Sequence, residues 1–471
     1  MRFATPQLAW SFDIEPIHSV DFHPRRAELL VGGADSSGEG VFLRTWDFKP
    51  GKLFSDEGQD VAAEPRWESR LGHSKSVNCA RFSPSGLCFA SGGDDAHLLV
   101  WEERATPKAF GSAETVQGWA QTRSLAGHSK EVYHLDWLRD ERYLVSGSHD
   151  FSVIVWEVRK GRMLQRFDGP TGYVKSVVAD PLGKYFLAFS CDRTLRIFKA
   201  MKQKKLGFNI KHAIRRFSQT ESLEEFSDRE ENPRDDKEDL HSLHSGAERD
   251  PKAADLCFVP DSVDESMFIR ADWSPDGSLF LVPRAQFRPE PPVPAPQASP
   301  LVVSQPTLYG VHLFTRENLT CPALFYPCDR PVNLVRFCPI IFWAGEEKLF
   351  DSPFMFLFAV ASYNALTLYS TTSIAPLFRL QNIHYARISD LAWLGYSLVA
   401  CSSMDGYITF ASLQAKLDDR IVKEEDLPPD LQLARKIEVP EPKPVFPQGD
   451  NVQKIIFKNG KKTIIPKMIG S

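Results

Sequence analysis

The sequence predicts an all-β fold assembled from repeated units, and three observations predict it. A stretch that closes on an aromatic and an acid recurs. Ser91-Gly92-Gly93-Asp94-Asp95 leads to Trp101-Glu102, and 55 positions later Ser146-Gly147-Ser148-His149-Asp150 leads to Trp156-Glu157. A Gly-His pair recurs at the same spacing, as Gly72-His73 and Gly127-His128, each opening an apolar-alternating run. Such runs end in Pro and Gly turns, as Ser76 to Phe82 ends in Ser83-Pro84-Ser85-Gly86. Self-similarity at a fixed period marks units that bury their apolar faces against their neighbours.

A unit with Gly-His first and Trp-Asp or Trp-Glu last resembles the WD-repeat signature, which implies a β-propeller. Ser190-Cys191-Asp192-Arg193-Thr194-Leu195-Arg196-Ile197-Phe198 is a weaker copy, with Phe198 at the Trp position. Asp95, Asp150 and Asp192 each precede the closing aromatic by six positions, in the turn between two strands. The resemblance implies that this Asp bonds the His of the Gly-His pair, with a strand Ser and the Trp indole completing the group. The sets are His73, Ser91, Asp95, Trp101 and His128, Ser146, Asp150, Trp156. Buried polar groups that satisfy one another fix a unique packing, so these residues are expected to be structural clamps and not catalysts.

Taken in order, Leu8 to Phe12 reads as a strand that closes the ring from the last blade, removing its edges. Blade one runs from Ile17 to Asp47, with Ser36 to Gly40 an enlarged turn. Blade two is built on Ser76 to Trp101, blade three on Glu131 to Trp156 and blade four on Tyr173 to Phe198. Lys202 to Lys205 is a small basic cluster, read as a solvated turn rather than a nuclear-import signal. Residues 217–250 hold twelve acidic residues against four basic ones, a net of −8, and are expected to be a disordered insertion. That segment is either a tolerated loop or an acidic lure for basic proteins such as histones. Blade five resumes at Phe268 to Phe280 and is interrupted by a Pro-rich loop at 289–300. Blade six contains Val332 to Phe342 and Phe354 to Tyr369, and blade seven Ile388 to Phe410, giving a seven-bladed WD-repeat propeller over residues 1–416. Residues 417–471 read as a flexible, Pro-bearing tail. Within it, two β-branched runs flank Asn459-Gly460, the strongest short hairpin signal, so 454–469 is expected to form a docking hairpin.

The formal net charge of −5 gives no global basic field, which argues against sequence-specific binding of duplex nucleic acid by the whole surface. Eight scattered Cys without CxxC pairs support neither a zinc site nor a disulfide framework, and fit a reducing compartment. No apolar run reaches the ~18 residues of a membrane helix, and the amino terminus lacks the core of a signal peptide. An intracellular protein is expected. No phosphate loop, GxSxG or HExxH is present, so the expectation is a non-enzymatic interaction scaffold with no cofactor and no metal.

Several stretches resemble the middle WD-repeat subunit of chromatin assembly factor 1 (CAF-1). Three of them, Phe82-Ser83-Pro84-Ser85-Gly86, Ala90 to Asp95 and Asp180 to Tyr185, are shared with the related HIR-type histone chaperones. Ser190 to Arg196, Phe358 to Ser362, Asn382-Ile383-His384-Tyr385 and Asp405-Gly406-Tyr407 look more specific to the CAF-1 subunit. In the tail, Gly460-Lys461-Lys462-Thr463-Ile464-Ile465-Pro466 resembles the B-domain by which both groups dock on the anti-silencing histone chaperone. Thr463 stands where that motif has its second basic residue. The resemblance implies docking through Ile455, Phe457, Lys461, Lys462, Ile464, Ile465 and Pro466. It also implies a nuclear scaffold that binds the CAF-1 large subunit and supports deposition of core histones three and four, which reach it through the complex. An HIR-type subunit for replication-independent deposition, or a generic WD-repeat adaptor such as a ubiquitin-ligase receptor, are the alternative readings.

Overall fold

Seven antiparallel sheets follow one another along the chain and form a seven-bladed β-propeller. The structure, a computed structural model, describes residues 16–34, 41–47, 67–69, 72–107, 115–201, 207–217, 256–259, 266–287, 308–346, 348–413, 417–429, 455–458 and 461–464. The expected strand at Leu8–Phe12, the turns at Ser36–Gly40 and Lys202–Lys205, the acidic stretch 218–250, the Pro-rich stretch 289–300 and the linker 430–454 lie outside these residues.

Blade three shows the plan. Val132–Trp137, Tyr143–Ser148, Val153–Glu157 and Arg162–Phe167 form a four-stranded meander from the centre outward. Its outermost strand is exposed or half-buried while the inner ones are almost wholly buried. Blade seven has three described strands, Ile388–Leu394, Leu398–Ser403 and Ile408–Ser412. Blade five is enlarged, because Arg216–Phe217 and Leu256–Phe258 extend its sheet.

The innermost strands are buried on both faces, so their polar residues do not face solvent. They cross the seams between blades and accept backbone N–H groups of the next innermost strand. Asp21 accepts from Phe82 at 2.9 Å, Asp136 from Ala179 at 2.8 Å and Asp272 from Phe337 at 2.8 Å. Ser176 accepts from Ala271 at 3.1 Å. Two indoles link in the reverse direction, Trp137 to the Arg81 carbonyl and Trp393 to the Arg336 carbonyl. Buried N–H groups thus find partners across seams that would otherwise be held by apolar contact alone.

At the axis these links converge on Asp390 of blade seven. Its carboxylate accepts both guanidinium nitrogens of Arg81, at 2.7 and 2.9 Å, together with the Ser19 hydroxyl at 3.0 Å and the Val20 N–H at 3.1 Å. Arg270 of blade five reaches across the axis and donates to the carbonyls of Asn78, Tyr133 and Lys175, in blades two, three and four. Its own backbone exchanges hydrogen bonds with Asn333 and Val335 of blade six. All seven blades are therefore tied through three charged residues that are nearly inaccessible to solvent.

Burial, opposed by the Ala179 N–H and the charge of Arg336, pushes the Asp136 carboxyl up to about 6. A carboxyl raised in the folded state binds more protons folded than unfolded between its two pKa values, so it subtracts stability as pH rises through that window. Asp136→Asn should accordingly gain on the wild type as pH rises from about 4 to 6, the two melting alike below about 4. Thermal melts across that range check this, and a constant offset would refute it.

The structure moves one boundary. Residues 417–429 are fastened to blade six: Val422 donates to the Ile341 carbonyl, Ile421 bridges Phe342, and Val422 and Leu427 are buried beside Phe356 and Phe358. The propeller unit runs to Lys436, and Ile437–Ser471 is a separate unit. The charged composition after Leu417 masks two apolar anchors.

Candidate functional site

The clamp residues meet on the end of each blade where the fourth strand of one blade turns into the first of the next. His73 Nδ1 lies 3.0 Å from the Asp95 carboxylate and its Nε2 2.8 Å from the Ser91 hydroxyl, to which the Trp101 indole donates at 2.9 Å. In blade three, His128 lies 3.1 Å from Asp150 and 2.7 Å from Ser146, and Trp156 donates to Ser146 at 2.8 Å. The preceding glycines are explained by the indoles: a Cβ on Gly72 would stand 2.5 Å from the Trp101 ring, and one on Gly127 2.8 Å from Trp156. Burial is the largest influence on the Asp95 carboxyl and works to raise it. The hydrogen bond and charge of His73, with the Ser74 and His97 N–H groups, outweigh burial and hold the carboxyl below the usual range.

Two further clamps escaped the sequence pattern. In blade four, Arg196 takes the place of the histidine, donating to Asp192 and Ser190 at 2.8 Å each. A cation six residues after Ser190 was the available signal. In blade seven, His384 is nearly inaccessible and lies 3.4 Å from Asp405, which also accepts the Tyr385 N–H at 2.9 Å. The following Tyr385 is 93% exposed, so the clamp fixes a turn that presents an aromatic ring to solvent.

These groups are wired to one another and offer no open substrate position. Among the described residues, no cluster of His, Cys, Asp or Glu could hold a metal ion. A cavity of about 600 Å³ lies at the opposite end, between blades five and six, lined by Arg316, Lys348, Leu349, Phe354 and Pro428.

The carboxy-terminal unit contains a two-stranded hairpin. Ile455–Lys458 pairs antiparallel with Lys461–Ile464, placing Ile455 opposite Ile464, Ile456 opposite Thr463 and Phe457 opposite Lys462. Lys461, Lys462 and Ile464 thus share its second strand, while Ile465 and Pro466 lie outside the described residues.

The profile of the CAF1B/HIR1 beta-propeller domain matches residues 1–417, the whole ring. The chain belongs to the CAF1B/HIR1 β-propeller family. Among relatives of this CAF1B/HIR1-family chain, a chromatin assembly factor 1 subunit of Mus musculus is 31% identical over 437 residues, which are 88% of this chain and 67% of the relative. A chromatin assembly factor 1 subunit of Saccharomyces cerevisiae is 25% identical, with 87% of this chain and 85% of the relative covered. Protein HIR1 of Kluyveromyces lactis is 23% identical, covering 95% of this chain but 46% of its own length.

Proposed function

We propose that this chain is a non-catalytic, nuclear scaffold subunit of a CAF-1-like histone chaperone that supports deposition of newly made core histones three and four on DNA. The propeller holds the large subunit, and the tail hairpin docks the anti-silencing chaperone that delivers histones. The observation that carries the reading is the match to the CAF1B/HIR1 family along the full ring. Identities of 31% and 30% to the mouse and Oryza sativa CAF-1 subunits exceed the 23–26% range that holds both the HIR1 proteins and the Saccharomyces cerevisiae CAF-1 subunit, and support the CAF-1 branch.

The docking mechanism follows from the hairpin. An isolated two-stranded hairpin is marginal in water, so it gains stability by adding to a sheet edge or apolar groove of a partner. Surface ion pairs are each worth about 0–1 kcal/mol, so burial of Ile464 and Pro466 outweighs the contacts of Lys461 and Lys462 with partner carboxylates. Thr463, opposite Ile456 in the register, removes one such contact and leaves the strand pairing in place.

Affinity purification from nuclear extract tests both modules. Full-length chain should recover the CAF-1 large subunit and the anti-silencing chaperone, while a chain ending at residue 449, or full-length Ile464→Ala with Pro466→Ala, should recover the large subunit alone. Recovery of HIR partners instead would move the chain to replication-independent deposition. Persistence of the anti-silencing chaperone with both variants would remove the tail assignment.

A further inference from the structure

We propose that the ends of blades three and four opposite the His–Asp clamps form a docking surface for an acidic segment of a partner protein. In each blade the turn between the first and second strands and the turn between the third and fourth emerge at the same end. In blade three these turns carry Arg139, Arg142, Arg159, Lys160 and Arg162, and in blade four Lys184 and, at the end of the third strand, Lys199.

The turns are knit into one surface. Val158 donates to the Arg142 carbonyl, Ala200 to the Lys184 carbonyl, and a Cβ placed on Gly183 of blade four would stand 3.8 Å from the Arg139 side chain of blade three. Against these seven cations stand four carboxylates, Asp140, Glu141, Glu157 and Asp180. All four are committed. Asp180 is buried and paired with Arg316, Glu157 is held by Lys160 and Arg162, Asp140 is held by Arg142, and Glu141 accepts the Ser85 hydroxyl of blade two. Arg139, Arg159, Lys184 and Lys199 form no ion pair among the described residues. This excess of positive charge belongs to a chain whose net charge is −5.

The charge balance selects a carboxylate-rich peptide over duplex DNA. A duplex carries one charge per ~1.7 Å and extends well beyond two blades, and a chain of net charge −5 supplies no long basic track to match it. A short acidic segment ends within the patch, where the field stays attractive inside a screening length of about 8–10 Å. Apolar side chains border the cations: Leu87 in the adjoining turn of blade two is 50% exposed, and Met163 beside Arg162 is 43% exposed. The fitting partner is therefore a stretch of Asp and Glu interspersed with Leu or Phe, in which apolar anchors add affinity that surface charge alone lacks.

Fluorescence anisotropy with full-length protein tests this, using a labelled 20-residue Glu/Asp peptide containing two Leu and, in parallel, a labelled 20-base-pair duplex. The peptide should bind, weaken as salt is raised, and lose roughly tenfold in affinity to the variant carrying Arg159→Glu, Lys184→Glu and Lys199→Glu. The thermal melt of that variant should match the wild type, since all three side chains are exposed. The duplex should bind more weakly than the peptide. Equal peptide affinity in the triple variant overturns the proposal. So does a duplex that binds more tightly than the peptide and is lost in the variant, which would make the patch a nucleic-acid surface.

Discussion

Asp390→Ala is expected to cost about 3–5 kcal/mol of stability, because it strands the buried Arg81 guanidinium without its counter-charge. Arg81 donates both nitrogens to that carboxylate, and Arg270 approaches it to 3.8 Å. Burial, the largest influence, pulls the Arg270 guanidinium down to about 10, but it stays charged at neutral pH. Removing Asp390 thus leaves two cations facing each other in a site that water does not reach. Asp390→Asn keeps an acceptor for Ser19 and Val20 and should lose less. Replacing both partners, Arg81→Met with Asp390→Leu, should recover much of the loss, since an apolar pair of similar volume often equals or exceeds a buried ion pair. Urea denaturation of the three variants distinguishes the cases. A loss below about 1 kcal/mol for Asp390→Ala would show that the axis is not a buried ionic lock.

His128→Ala comes second, at about 2–3 kcal/mol near pH 7, because Ser146 and Asp150 both lose a buried partner. Its pH signature separates it from generic core damage. Burial works to raise the Asp150 carboxyl but is outweighed by hydrogen bonds from His128 and Ser152, the charge of His128 and the Ser129 N–H, so the carboxyl sits below the usual range. A carboxyl depressed by folding contributes stability that is complete above its unfolded pKa of about 3.9 and is lost as pH falls through the folded value. Without His128 the opposing effect of burial gains weight, so the deficit of the variant should narrow between about pH 4 and 2. Parallel stability curves for wild type and variant over that range would exclude a clamp role.

Much of this architecture is readable in the sequence, for a definable reason. His73 with Asp95 and His128 with Asp150 keep one separation, and the Gly, Ser and Trp positions travel with them, so the group repeats as a whole. Blade four hides its equivalent because Arg196 supplies the hydrogen-bond donor from within the strand, where the other clamps use a residue of the preceding loop. The polar residues of the innermost strands are harder still. Asp21 and Asp136 stand between apolar neighbours as solvent-facing residues would, yet they are spent on the seams. A period of two reports which face a side chain takes, not whether water or another blade lies there. Arg270 precedes a strand of only two residues, Asp272–Trp273, and nothing local marks it as the residue that crosses the axis.

The seam between blades seven and one has a temporal consequence. Ser19 donates to Asp390 across 371 positions, and Leu29 and Val31 pack against Ala400 and Phe410. A ribosome adding about 5–20 residues per second separates the emergence of these partners by roughly 20 to 70 seconds. For that interval the nascent chain is an open arc whose first blade displays bare strands and apolar side chains. Truncated products that stop before blade seven never close, so a cell making this protein must shield the unfinished arc or lose it to aggregation.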